Sequence, residues 1–265
     1  MFSAWSALAV LFCGGIAMAQ APSYASSSIV NASDFSGGPF APGSLISIFG
    51  TNLSFNTATL NADNTTGETL PFSLGNVKVI IDNAAAPLLY VSPAQINVMI
   101  PPNEISGNVT LQVVRQSVAG PAVTISLVAG APALFVSADH SALAQDFNNN
   151  YAVATASAPA QPGDLIVLYA TGLGGTQPLP GIGQIPQFAG FVNGFATGAV
   201  QVLLNGKALN PLTVPYAGLT PGFAGLYQIN FYLPGDCPAN PQIQIAMGGQ
   251  LSATNVTLAV AAPSQ

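Results

Sequence analysis

One stretch of this chain is written twice. Residues 41–53 read APGSLISIFGTNL and residues 161–173 read QPGDLIVLYATGL. Each copy has a Pro-Gly turn, an apolar-rich strand and a closing Thr-x-Leu after a small residue, which is the signature of a duplicated β unit. Ile46 and Ile48 point to one face while Ser47 points to the other, and Ile166 and Leu168 take the same places in the second copy. One face of the strand is therefore specified in the same way in both units. The full 265 residues suit two such domains of about 100 to 150 residues each.

The correspondence continues beyond the motif. Val77, Val79 and Ile81 alternate with Lys78 and Ile80, and Val200, Val202 and Leu204 alternate with Gln201 and Leu203. Both strands run into turns: Asn205-Gly206 is a strong hairpin signal and Asp82-Asn83 its weaker twin, with return strands expected from Pro87-Leu88 and Pro211-Leu212. Gln95 to Pro101 (QINVMIP) then matches Gln228 to Pro234 (QINFYLP), a pattern for a strand with one buried face and one polar face. Closing strands are expected at Val109, Leu111, Val113 and Val123, Ile125, Leu127 in the first unit. In the second they are expected at Ile243, Ile245 and Val256, Leu258, Val260. Before the first motif, Ile29-Val30 reads as an edge strand.

These elements predict an all-β protein of two tandem immunoglobulin-like antiparallel β-sandwiches. The expected units are residues 20–130 and 131–265, the second beginning with a hairpin around Asn148-Asn149-Asn150. Each motif is followed by a long stretch without strand periodicity, residues 54–72 and 174–198. The first is largely polar. The second is rich in Gly and Pro and carries Ile182, Ile185, Phe188, Phe191 and Phe195. Loops of this length inside a compact domain either bind something or move.

Charge narrows the partners. Only 5% of residues are charged, with three basic against nine acidic, so no phosphate-tracking surface can be assembled and nucleic acid is excluded as a partner. Attraction to an anionic membrane is excluded on the same ground. Half the chain is apolar, which rules against disorder. At the N-terminus an apolar run ends in Ala17-Met18-Ala19, the cleavage pattern of a secretory signal peptide over residues 1–19. No Lys or Arg precedes the run, so either the signal is atypical or translation begins upstream. The expected address is secreted, extracellular or cell-surface, with no membrane insertion after cleavage. A lipid anchor on Cys13 is the weaker reading, because Phe12 stands where a small residue is wanted. Beyond residue 19 the chain keeps one cysteine, Cys237, and no tryptophan.

The phrase APGSLISIFGTNL resembles the opening of IPT/TIG immunoglobulin-like domains. PLLYVSPAQINVMIP at 87–101, GDLIVLYATGLG at 163–174 and GLTPGFAGLYQINFYLP at 218–234 resemble a C-terminal domain family of Solibacter-type acidobacterial secreted proteins. That family has no established biochemical activity, so the resemblance implies a fold and an extracellular address and carries over no catalytic residue. The IPT/TIG likeness implies an immunoglobulin-like sandwich used in adhesion or as a spacer.

Catalytic chemistry finds little to stand on. His140 is the one histidine, and its sequence neighbours Asp139 and Ser141 do not make a triad by adjacency. Asp139, Asp146, Asp164 and Asp236 are the carboxylates a glycosidase could use, but Asp164 has Ser44 as its twin in the repeat, and both suit a cap on the Pro-Gly turn. Zinc lacks ligands, and calcium would have to use Asp63-Asn64 or Asp146 with Asn148 to Asn150, where turn formation explains the residues equally well. No enzyme activity, cofactor or metal is expected. The expected function is adhesion, docking or a structural role through an extracellular protein or polysaccharide, with Ile185, Phe188, Phe191, Phe195 and Tyr216 as the interaction residues. The alternative is a carbohydrate-binding module using tyrosines in or beside loops (Tyr24, Tyr151, Tyr216) and amide side chains. Tyr169 and Tyr227 are expected to pack internally, and Gln95, Asn97, Gln228 and Asn230 to serve the strands themselves.

Overall fold

The computed structural model describes residues 20–61, 65 and 68–263. The signal-peptide and Cys13 readings, and the calcium reading at Asp63-Asn64, lie outside the described residues. The chain forms two tandem antiparallel β-sandwiches, each with its own apolar core. The first core draws on residues from Ile29 to Leu127 and the second on residues from Leu134 to Val260.

In the first sandwich one sheet has the order Ile29–Asn31, Leu45–Phe49, Gln95–Met99, Leu88–Val91, Ala58–Thr59. The facing sheet has the order Val123–Leu127, Gly107–Arg115, Val77–Ile81, Ala84–Ala86. The second sandwich repeats the central pairings. Leu165–Thr171 pairs with Tyr227–Tyr232 as Leu45–Phe49 pairs with Gln95–Met99, and Val200–Leu204 pairs with Ile243–Met247 as Val77–Ile81 pairs with Gly107–Arg115. Ile46 and Ile48 lie opposite Val98 and Ile96; Ile166 and Leu168 lie opposite Phe231 and Ile229, all fully buried. The duplicated face of the motif is thus the seat of each core, and its alternation with outward residues is what fixes the register.

Asp82-Asn83 and Asn205-Gly206 make their turns with positive φ at both central residues, as a two-residue hairpin requires. Their return strands are Ala84–Ala86 and Lys207–Ala208, earlier than the Pro-Leu positions suggest. At Pro87 the chain instead crosses to the opposite sheet, and Pro211–Thr213 winds into a short 3₁₀ turn whose first N–H groups are capped by Asn210. The segment with Val256, Leu258 and Val260 buries all three residues but forms no ladder: Thr257 bridges Gln242 and Ser141, and Val260 bridges Ala160. Its backbone passes from one partner to another, so periodic burial is kept while regular pairing is lost. The expected hairpin at 148–150 is present, Ala144–Asp146 pairing with Ala152–Val153.

The two long loops find each other. Thr69 and Gln184 form an antiparallel bridge, with the Leu70 N–H donating to Gly183 O at 2.8 Å and the Ile185 N–H to Glu68 O at 2.6 Å. Beside this bridge Leu70, Met99 and Ala224 form a third buried cluster, packed by Leu45, Leu60, Leu89 and Ile185. The Thr171 hydroxyl accepts the Leu45 N–H at 2.9 Å and donates to Gly225 O at 3.0 Å. The sandwiches are therefore joined by apolar contact and by a buried hydrogen-bond relay.

Candidate functional site

The loop at 174–198 folds back onto its own sheet. Thr176–Gln177 and Phe191–Val192 pair with each other, and Phe191 pairs with Gly218 on Tyr216–Leu219, extending the sheet by two short strands. This backing distributes the apolar residues. Val192 enters the core, Phe188 and Phe195 pack partly against it, and Ile185 joins the cluster between the sandwiches. Phe191 is left on the outer face, 45% exposed, with its ring stacked on Phe195 at 5.2 Å and tilted against Tyr216 at 5.1 Å.

Tyr216 owes its position to a glycine. A side chain at Gly218 would collide with Gly190 O and with the Tyr216 ring, which lies over the bare strand while its hydroxyl donates to Leu219 O at 2.7 Å. The ring covers the glycine and Phe191 covers the ring, giving a compact aromatic patch (Phe191, Phe195, Tyr216). Four of the five expected interaction residues thus gather along one loop and its sheet edge, while Ile185 stands apart.

The polar face of the paired strands differs between the copies. In the first sandwich Asn97 Oδ1 accepts from Ser47 Oγ at 2.9 Å and Gln95 Nε2 at 2.8 Å. In the second, Val167 occupies the place of Ser47 opposite Asn230 and has no hydroxyl to offer. Asn230 Oδ1 is buried without a partner among the described residues. Further along the same outward face stands Tyr232, 47% exposed.

Tyr232 also forms one wall of a cleft of about 660 Å³ at the end of the second sandwich. The cleft opens between the turn region 204–213 and the segment 232–238. Leu204, Leu209 and Leu233 form its apolar floor; Lys207, Asn210 and Asp236 stand at its rim. Asn210 Oδ1 caps the Leu212 N–H, which leaves its amide NH₂ as a donor. Cys237 lies in the wall, 1% exposed, its thiol pushed up by burial and then by the charge of Asp236. Sequence reasoning missed this cleft. The signal was the i, i+2 placement of Tyr232 on the polar face beyond Gln228 and Asn230, but the opposing Lys207 and Asp236 meet only through the fold.

The remaining candidates are turn and packing groups. Asp164 Oδ2 accepts the Gln161 N–H at 2.7 Å and Ser44 Oγ the Ala41 N–H at 3.1 Å, so the twins do cap equivalent Pro-Gly turns. Asp146 Oδ1 accepts from the N–H groups of Asn148 and Asn149 inside the hairpin, and Asn148 Oδ1 accepts from the Leu165 N–H. Burial, and next the charge of Asp164, push the Asp146 carboxyl up. Asp146 is buried and its carboxyl bonds Asp164, so the pair does not flank an open site as a glycosidase requires. Asp139 bonds Ser137 Oγ and the Ser141 N–H, while His140 Nδ1 faces Asn255 at 3.4 Å, so the sequence neighbours make no relay. Tyr24 is tied to Pro121 O and the Val113 N–H, and Tyr151 packs edge-on to Phe147. Tyr227 is buried with its hydroxyl on Gly174 O, and burial pushes its phenol up. No cluster of three or more His, Cys, Asp or Glu side chains able to hold a metal occurs among the described residues. None of the helices among them is long and apolar enough to cross a membrane.

The architecture is that of tandem immunoglobulin-like modules. Residues 28–127, the first sandwich, match the IPT/TIG domain family model. No curated protein sequence matches the chain. Among solved structures it is similar to the surface glycan-binding protein PbSGBP-B from Prevotella bryantii, at 16% identity and TM-score 0.26, covering 88% of this chain and 41% of that one. It is also similar to the Bacteroides ovatus mixed-linkage glucan utilization locus SGBP-B, at 11% identity and TM-score 0.35, covering 92% and 47%. Domains 5-6 of the S-layer protein SbsC match at 13% identity and TM-score 0.26, covering 92% of this chain and all of theirs. The chain spans less than half the length of the two glycan-binding proteins. At these scores the likenesses carry no inference about activity.

Proposed function

We propose that this chain is a secreted, non-enzymatic docking protein that works at the cell surface or in the surrounding matrix. Its folding units in this reading are residues 20–130 and 131–265, following a signal peptide at 1–19, and its address is the one implied by the resemblance to Solibacter-type secreted domains. The observation that carries the reading is the outward aromatic patch of Phe191, Phe195 and Tyr216, held on paired strands and the short turn that follows rather than on a free loop. A partly exposed ring cluster on a rigid support provides apolar contact area with little conformational entropy to lose on binding.

The test is retention of the secreted chain on envelope material of the producing cell, before and after protease treatment of that material. Docking predicts protease-sensitive retention that Phe191→Ser weakens about tenfold or more. Retention that survives protease, or that Phe191→Ser leaves unchanged, overturns it.

A further inference from the structure

We infer that the cleft walled by Tyr232 is a binding site for a neutral oligosaccharide segment. The site is separate from the aromatic patch and shares with the docking reading only the extracellular address. Its volume of about 660 Å³ is that of a ligand pocket, well beyond what a few ordered waters fill. An apolar floor of Leu204, Leu209 and Leu233 lies beneath a rim of hydrogen-bonding groups. Such an arrangement suits a ligand with one apolar ring face and many hydroxyls.

The rim supplies both halves of hydroxyl recognition. Lys207 and the amide of Asn210 donate, the Asp236 carboxylate accepts, and no group among the described residues bonds the Tyr232 hydroxyl. Sugar hydroxyls can donate to Asp236 and accept from Lys207. The half-exposed Tyr232 ring gives a sugar ring a surface to stack on.

Charge decides for a neutral ligand. One cation and one anion line the cleft, and the whole chain carries a net charge of −6, which repels a polyanion from the surrounding surface. A peptide drawn by the two rim charges would gain little, since both are solvated and screened by salt.

The experiment is calorimetric titration of the secreted chain with neutral hexasaccharides (β-1,4-glucan, β-1,3-glucan, β-1,4-xylan and α-1,4-glucan) and with an anionic hexauronate, at low and at physiological salt. The expected result is saturable, salt-insensitive binding of at least one neutral hexasaccharide. Tyr232→Ala and Asp236→Asn should each weaken it about tenfold, and Phe191→Ser should leave it intact. Asp236 is exposed, so its variant tests the site even if Tyr232→Ala fails to fold. Absence of saturable binding across the neutral panel, tighter salt-sensitive binding of the hexauronate, or binding that both cleft variants leave unchanged overturns the assignment. Envelope retention governed by Phe191 would stand or fall independently.

Discussion

Thr171 offers the sharpest test of how the two sandwiches are held together. It is fully buried, and its hydroxyl accepts the Leu45 N–H from the first sandwich and donates to Gly225 O in the second. Thr171→Val keeps the shape and removes both bonds, so no cavity complicates the result. Two buried backbone groups lose their partner at about 1–3 kcal/mol each, while a methyl in place of the hydroxyl recovers about 1 kcal/mol. The net loss is about 3 kcal/mol, shared between the contact to Leu45 of the first sandwich and the Gly225 segment of the second, with neither apolar core altered. With a urea m-value of about 2 kcal/mol/M, the midpoint of the less stable sandwich should fall by about 1.5 M and separate from that of the other. Residues 20–265 contain no tryptophan, so tyrosine fluorescence and near-ultraviolet circular dichroism report the transitions. Thr171→Ser, which keeps the hydroxyl, should stay close to the native chain. A single transition within about 0.3 M of the native midpoint in Thr171→Val would refute the relay as a coupling element.

Three further perturbations follow from the same geometry. Buried Val→Thr ordinarily destabilises, but Val167→Thr places a hydroxyl opposite the orphaned Asn230 Oδ1 and should raise stability by about 1 kcal/mol; a loss of that size in urea unfolding would count against the pairing. The Asp146 carboxyl is held up by burial and by Asp164, so the folded state keeps its proton longer than the unfolded chain and stability falls as pH rises above about 4. Asp146→Asn retains the Oδ1 acceptor for Asn148 and Asn149 and should unfold at higher temperature at neutral pH, the advantage vanishing in acid; an unchanged pH profile would remove Asp146 as its source. Asp164→Ser installs the residue its twin Ser44 uses for the same cap and should cost well under the roughly 1 kcal/mol of Asp164→Ala in thermal unfolding.

The strands were legible where burial alternates. Ile46 and Ile48, Ile96 and Val98, and their twins announce a face because side chains two apart share it. The hairpins at Asp82-Asn83 and Asn205-Gly206 were legible because few residue pairs tolerate positive φ twice in succession. Val256, Leu258 and Val260 misled for the complementary reason. Periodic burial reports the direction of side chains and is silent about which backbone lies alongside. The fate of Phe191 against that of Phe188 was equally hidden, since nothing local says which ring of an apolar loop meets a core and which is left outside.

The doubled sandwich is written in the amino-acid pattern alone. A repeated pattern of alternation and turn chemistry acts within each unit, and short-range rules are written in neighbouring residues. Long-range packing is what pairs the two long loops through Thr69 and Gln184, bonds Thr171 of the second motif to Leu45 of the first, and brings Tyr232, Lys207 and Asp236 around one cleft. Each of these joins residues that local pattern leaves unrelated. Their meeting depends on how two separately closed sandwiches stack, and on where the chain turns between the strands of the second.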